Sequence, residues 1–270
     1  MFRFFADSVV NGLALNKANR VTCQLAGRLS PTFHLTHNGI DYVFACPNPL
    51  TRWRAETFAD KEPETLEWID TFQKGATLFD IGANVGIYAI YAAKRGINVM
   101  AFEPESQNYA LINKNVYLNG VADRVKCLSV ALSDCDGIDY LYIPEFQAGG
   151  ALNNFGSAID LNHQEFSPAF KQGGLSYSLD SFVQKYTESF PNHIKIDVDG
   201  IEFAIVRGAE KTLRDLRLRS LSIELNEVLP ESPAIQTFIE GTGLKFVQKK
   251  HAAMFDDTQY KQIFNYVFGR

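Results

Sequence analysis

The chain has no run of about 18 apolar residues, the length a membrane-spanning helix needs. Its opening, MFRFFADSVVNGLALNK, starts apolar but is cut by Asp7, Asn11 and Lys17, too broken for a secretory leader. Cys23, Cys46, Cys127 and Cys135 include no C-x-x-C pair, so neither a zinc site nor a disulfide framework is indicated. Scattered thiols suit a reducing compartment, and a cytoplasmic protein is expected. Basic charge is not in excess: 26 Lys and Arg stand against 31 Asp and Glu, a net charge of −5, which leaves no global footprint for nucleic acid. The small basic clusters, Arg214, Arg217 and Arg219 and then Lys249 and Lys250, read as solvated faces. What remains is an ordinary mix for a soluble chain, 46% hydrophobic and 21% charged over 270 residues, enough for one large core with a small extra piece.

The informative stretch is Leu78-Phe79-Asp80-Ile81-Gly82-Ala83-Asn84-Val85-Gly86. Thr77 to Ile81 suits a buried parallel strand. Gly82-x-Asn84-x-Gly86 then makes a tight turn into a helix, with glycine where a Cβ would block a ligand and Asn84 where the left-handed conformation is tolerated. The helix start offers unpaired N–H groups to whatever docks there. A second apolar run, Val99 to Phe102, ends on Glu103-Pro104, and a carboxylate there can accept both hydroxyl hydrogens of a ribose. A nicotinamide dinucleotide site shares this outline, but its G-x-G-x-x-G slots hold Gly82, Asn84 and Ile87 here. Asp80, two residues before the first glycine, would repel a pyrophosphate and welcome an ammonium or sulfonium cation. The pairing of Asp80 with Glu103 favours S-adenosylmethionine.

Along the chain, Phe33 to Phe44 reads as a β-hairpin around His37-Asn38-Gly39, and Pro47-Asn48-Pro49 breaks it. Pro63 opens a helix with Leu66, Ile69 and Phe72 on one face, closed by Gly75. Residues 1–60 are expected to form an N-terminal cap over the mouth of the site, and 61–270 the main domain. From Thr77 strands and helices alternate, with further strands at Val125 to Val130, Ile138 to Ile143, Leu175 to Leu179, His193 to Val198, Leu218 to Leu225, Lys245 to Gln248 and Phe264 to Phe268. This order implies an α/β fold, a largely parallel sheet with helices on both faces. Ligands bind such sheets beyond the carboxyl ends of the strands.

His193-Ile194-Lys195-Ile196-Asp197-Val198-Asp199-Gly200-Ile201-Glu202 runs a buried strand into three acids. Asp197 is the expected catalytic residue, at the strand end next to the glycine turn, suited to taking a proton from a hydroxyl or orienting one. Asp199 and Glu202 stand in reserve; as helix-start acids both have an ordinary structural explanation. There is no Pro-Pro pair, which amino-group methylation of DNA bases uses at this strand end, and no Pro-Cys pair for carbon-5 cytosine chemistry. Glu224 and Asn226 on the next strand, with Asp197, approximate a magnesium set, but the spacing is loose and no divalent metal is expected. The loop Gly149 to Ser157 reads equally well as a flexible linker and as an acceptor- or methionine-contacting loop. His193 could stand behind the site; His37, His163 and His251 read as ordinary surface or loop residues.

Taken in order, LFDIGANVGIYAIYAA, AFEPE, VALSD, SLDSF and IKIDVDGIEFAIVRGAE resemble the FkbM-type methyltransferases, over residues from about 51 to 227. The resemblance implies a seven-stranded class I methyltransferase sheet, S-adenosylmethionine as donor, and O-methylation of a hydroxyl on a sugar, glycan or natural product. It also implies that Asp80, Gly82, Ala83, Asn84 and Gly86 line the donor, that Glu103 with Pro104 holds the ribose, that Ser133 and Asp134 lie near the adenine, and that Asp197 faces the transferred methyl. A small-molecule or glycan acceptor is the expected partner. The alternative from another class is a methyltransferase fold serving as a binding or scaffold protein, which fold alone does not exclude.

Overall fold

The computed structural model describes residues 20–186 and 190–270; the sequence reading of the first residues lies outside them. A first helix, α1 (Arg20–Arg28), leads into β1 (Thr32–His37) and β2 (Ile40–Ala45). They form an antiparallel hairpin whose turn is Asn38-Gly39, both at positive φ, the geometry a two-residue connection demands. The inner face of β2, Tyr42 and Phe44, is buried in the same core as Leu78, Ile90 and Tyr91. The free edge of β2 is satisfied by two asparagines of a later helix. Asn115 accepts from Ala45 N (2.8 Å) and Asn119 accepts from Val43 N (3.1 Å), while the Asn115 amide donates to Val85 O (2.9 Å). Asn115→Ala strands these buried groups and is expected to cost about 1–3 kcal/mol, read as a lower urea midpoint with unchanged slope.

Pro47-Asn48-Pro49, read from sequence as a break, also starts a helix, α2 (Pro49–Glu56). Asn48 is its N-cap, closing a capping box with Thr51, and Pro49 occupies the first helical position, where its missing N–H costs nothing. α3 (Pro63–Asp70) buries Leu66, Trp68 and Ile69 and stops before the expected Gly75. There follow β3 (Thr77–Ile81), α4 (Ile87–Lys94), β4 (Asn98–Phe102), α5 (Ser106–Leu118) and β5 (Val125–Leu128). Next come β6 (Ala131–Ser133), β7 (Gly137–Ile143), β8 (Asn154–Phe155), β9 (Phe170–Ser178) and α6 (Leu179–Lys185). The chain finishes with β10 (His193–Ile196), α7 (Glu202–Arg207), α8 (Glu210–Arg214), β11 (Ser220–Asn226), α9 (Ser232–Gly241), β12 (Lys245–Lys250) and β13 (Ile263–Gly269).

The main sheet has seven strands in the order β12-β13-β11-β10-β3-β4-β5. β5, β4, β3, β10 and β11 run parallel, and β13 lies antiparallel between β11 and β12. Alternation along the strands divides the interior: Leu78 and Val99 face the hairpin side, whereas Phe79, Ile81, Phe102, Ile194 and Ile196 pack on the opposite side against α7, α8 and α9. The segments Ile138 to Ile143 and Leu175 to Leu179 are strands, but not of this sheet. β7 and the longer β9 pair antiparallel in a four-stranded sheet ordered β6-β9-β7-β8. The parallel order reverses between β3 and β10, and that switch point opens a crevice beyond the carboxyl ends of the strands.

Candidate active site

A cavity of about 430 Å3 lies along this edge. The strand order fixes the sequence of groups across it: Glu103 after β4, Gly82 and Asn84 after β3, Asp197 after β10, Glu224 on β11, and Asn265 on β13. Leu50, Trp53, Arg54, Lys61, Glu62 and Glu64, from α2 and the start of α3, form part of its wall. His251, Phe255 and Tyr260, between β12 and β13, close the far end.

The glycine turn is built for close approach. Gly82 has φ +81°, and a Cβ there would stand 1.9 Å from the Asp197 carbonyl oxygen, so the ends of β3 and β10 fit together only around glycine. Asn84 takes the left-handed conformation at φ 50°. Its backbone N–H donates to Glu103 Oε2 (2.7 Å), and its side-chain amide donates to Gly150 O (2.8 Å). The other Glu103 oxygen accepts from Glu105 N (2.9 Å). Burial pushes the Glu103 carboxyl up to about 7 against the pull of these two amides. Both oxygens are thus aimed and keep further lone pairs, as a ribose anchor requires. Pro104 and Asn108 continue the wall.

The glycine- and asparagine-rich loop is part of the site. Gly150, Ala151, Leu152 and Asn153 line the cavity. Asn84 and Asn108 both donate to Gly150 O, and Asn108 accepts from Gly149 N (2.7 Å). Asn153 Oδ1 is buried without a partner among the described residues.

Beneath the floor lies a chain of buried charge. Lys195 and Asp80 are neighbours in register across β10 and β3, both almost fully buried. Lys195 Nζ pairs with Asp197 Oδ2 and lies 3.9 Å from Glu62 Oε2. Lys61 pairs with the other Glu62 oxygen (2.7 Å). Burial opposes charge on Glu62, but Lys61 and Lys195 together hold its carboxyl down to about 2. Asp80 has no hydrogen-bond partner on either oxygen among the described residues. Burial pushes it up to about 6, with Lys195 opposing.

The sequence-derived candidates divide as follows. Gly82, Asn84, Glu103, Pro104, Asp197 and Asp199 line the cavity, and Ala83 lines a small recess that adjoins it at Gly82 and Asp197. Asp80 lies under the floor, and Gly86 starts α4 with its Cα packed towards Ile112; neither lines the cavity. Ser133 and Asp134 are not brought to it either. They sit at the end of β6 beside Gly208, and Asp134 pairs with Arg207 (3.2 Å). Asp199 accepts from Leu152 N (2.6 Å), pinning the loop; burial pushes it up to about 6. Glu202 lies outside the cavity lining and accepts from Gly200 N (3.1 Å), a local helix-start role; burial pushes it up to about 8. His193 stacks on Phe72 (3.6 Å between centroids) and bonds Ser220 through Nδ1. Asn226 spends its amide on Leu161 O (2.8 Å) and Asn162, so Asp197, Glu224 and Asn226 do not converge as a magnesium set. Among the described residues no group of three or more His, Cys, Asp or Glu is arranged to hold a metal. Arg54, Lys61, Glu62, Glu64 and the far wall were not singled out from the sequence.

A seven-stranded sheet with one antiparallel strand, a glycine turn at its switch point and an amide-held acid on the adjacent strand define a class I methyltransferase fold. Residues 80–246 match the family model described as the methyltransferase FkbM domain, and the chain belongs to that family. Methyltransferase sdnD of Sordaria araneosa is 22% identical over 195 residues, 64% of this chain and 75% of that protein. Methyltransferase 1 of Beauveria bassiana is 22% identical over 214 residues, 73% and 83% of the two chains. Among solved structures, the precorrin-6y C5,15-methyltransferase of Geobacter metallireducens GS-15 aligns with a TM-score of 0.44 at 13% identity, covering 84% of this chain and 93% of that one. Among the described residues no helix is long and apolar enough to cross a membrane.

Proposed function

We propose that the protein transfers the methyl group of S-adenosylmethionine to a hydroxyl of a sugar, glycan or natural-product acceptor. The observation that carries this reading is Glu103, a buried carboxylate with both oxygens aimed by the Asn84 and Glu105 amides, one strand from the Gly82 turn. The donor supplies a methyl on a positively charged sulfur. The chain's part is to hold the ribose at Glu103, to bring the donor's methionine portion past Gly82 towards Asp197, and to align the acceptor oxygen for in-line attack. Carboxylates around that point, Asp197 and Glu62 in the wall and Asp80 below it, favour a cationic sulfur there. The far end of His251, Phe255 and Tyr260, with Trp53 of α2 and polar Asn265, suits an acceptor with both flat apolar faces and hydroxyls.

Incubation with methyl-labelled S-adenosylmethionine and pools of glycans and hydroxylated natural products tests the reading. Label recovered as a methyl ether is expected; label on nitrogen or carbon would overturn the acceptor class. Glu103→Ala removes two charge-assisted bonds of about 1.5–3 kcal/mol each and should weaken donor affinity at least tenfold in a calorimetric titration, with the fold intact. Unchanged affinity would remove Glu103 from the donor site.

A further inference from the structure

We propose that Glu224, rather than Asp197, takes the proton from the acceptor hydroxyl. The inference rests on the methyl-transfer reading of the same cavity and assigns the one proton movement that reading leaves open. As the acceptor oxygen bonds to the methyl carbon, the carbon–sulfur bond breaks and its electron pair stays on sulfur. The hydroxyl proton passes to the Glu224 carboxylate, leaving a methyl ether, a neutral thioether and a protonated Glu224.

Placement is the first argument. The order β4-β3-β10-β11-β13 sets Glu103 and the glycine turn on one side of Asp197 and Glu224 on the other. Ile196 and Ile223 are in register, so Asp197 and Glu224 follow them on adjacent strands, and Glu224 faces Asn265 in the next pair. A donor anchored at Glu103 with its methyl near Asp197 therefore has Glu224 beyond the methyl, on the side the acceptor must enter. The aromatic groups of that side, His251, Phe255 and Tyr260, lie in the same direction.

Availability is the second. A general base needs a lone pair free to point at the substrate. Asp197 has one carboxylate oxygen, Oδ2, taken up by the Lys195 ammonium. Glu62 is held by Lys61 and Thr65, Glu64 accepts from Asn265 (2.9 Å) and Asp199 from Leu152, while Glu103 lies across the glycine turn, on the ribose side of Asp197. Glu224 lines the cavity half-buried and takes no hydrogen bond or ion pair from any described residue.

The charges facing Glu224 act the same way. Burial comes first, then the Asp197 and Glu62 carboxylates, in raising its proton affinity well above the usual glutamate range; Lys61 opposes them and Asp199 adds to them. A base whose affinity for protons is raised is better matched to an alcohol than an ordinary carboxylate. Asp197 becomes a positioning residue, holding Lys195 in place and setting the field at Glu224.

Two measurements decide it. In protein labelled with carbon-13 at the glutamate carboxyls, the Glu224 signal is identified by its loss in Glu224→Gln. Its titration midpoint, with S-adenosylhomocysteine bound, should lie well above the ordinary glutamate range. A midpoint within that range overturns the proposal, whereas failure of S-adenosylhomocysteine to bind would instead overturn the methyl-transfer reading itself. With the acceptor pool that takes label, Glu224→Gln should lower kcat by about 10²–10⁴ and abolish the acid limb of the pH–rate profile, while donor affinity stays within a few-fold. Asp197→Asn should keep that limb at a shifted midpoint. Near-normal turnover in Glu224→Gln, a limb lost with Asp197→Asn instead, or an effect confined to acceptor KM would each show that Glu224 is not the base.

Discussion

Gly82→Ala is expected to abolish donor binding and to cost the fold about 2–5 kcal/mol. The residue has φ +81°, where an L side chain is strained by about 1–2 kcal/mol before any contact is counted. Its added Cβ would then stand 1.9 Å from the Asp197 carbonyl oxygen and 2.9 Å from the carbonyl carbon, both backbone atoms of the strand end on the opposite side of the switch point. No rotamer change relieves a backbone clash, so β3 and β10 must separate. Asp197 N donates to Ile81 O (3.0 Å) at this junction, and Gly82 N and Ala83 N donate to Phe102 O, so separation loosens the ladder that aims Asn84 at Glu103. Urea unfolding and titration with S-adenosylhomocysteine check the two parts. A variant with wild-type affinity would show that the strand ends yield without disturbing the site.

That turn was readable because its chemistry is local. Gly82, Asn84 and Gly86 sit at positive φ, the conformations their residue types favour, and the hairpin at Asn38-Gly39 was legible for the same reason. Buried strands ending on Glu103 and Asp197 were visible as short apolar runs with an acid at the end, and the two ends flank the glycine turn of β3 from either side. Long-range assembly was not readable in this way. Glu62 meets Lys195 across 133 positions of sequence, and nothing in Lys61-Glu62-Pro63 marks it as more than the start of a helix. Pro47-Asn48-Pro49 carried two signals, a broken strand and a capped helix, and the strand was the one read. The strand character of Ile138 to Ile143 was plain, but which sheet it joins depends on pairing with β9, and Gln172 to Ser176 is no more apolar than a loop. Ser133 and Asp134 entered by family resemblance alone, and β6 carries them away from the cavity towards α7. Glu224 was weighed only as a metal ligand beside Asn226. That its carboxylate takes no hydrogen bond or ion pair from any described residue is something sequence cannot show.

Asp80→Asn is expected to make the ligand-free protein more stable at neutral pH, by up to about 3 kcal/mol. Asp80 is 1% exposed, and neither oxygen has a hydrogen-bond partner among the described residues. Burial, opposed by Lys195 and reinforced by Asp197 and Glu62, raises its carboxyl from 3.8 to about 6. A carboxyl raised in the folded state favours the protonated form there. Its contribution to stability is therefore most favourable below the unfolded value, falls as pH climbs from about 4 to about 6, and stays unfavourable above that. An amide has no proton to lose, so the advantage of the variant should be small near pH 4, grow across that window and level off by pH 7. The figure is an upper one, because the amide is itself a buried polar group and Lys195 loses a neighbouring charge. Chemical unfolding of both proteins at several pH values between 4 and 8 reads the difference directly. A variant less stable than the parent by the same amount at every pH would mean that Lys195 pairs with an ionised Asp80 in solution. If the expected pattern is seen, the cost is being carried for the site: a carboxylate under the floor supplies negative charge near a sulfonium without occupying the space the donor needs. In that case S-adenosylmethionine, which carries the extra positive charge, should lose more affinity in Asp80→Asn than S-adenosylhomocysteine, which lacks it.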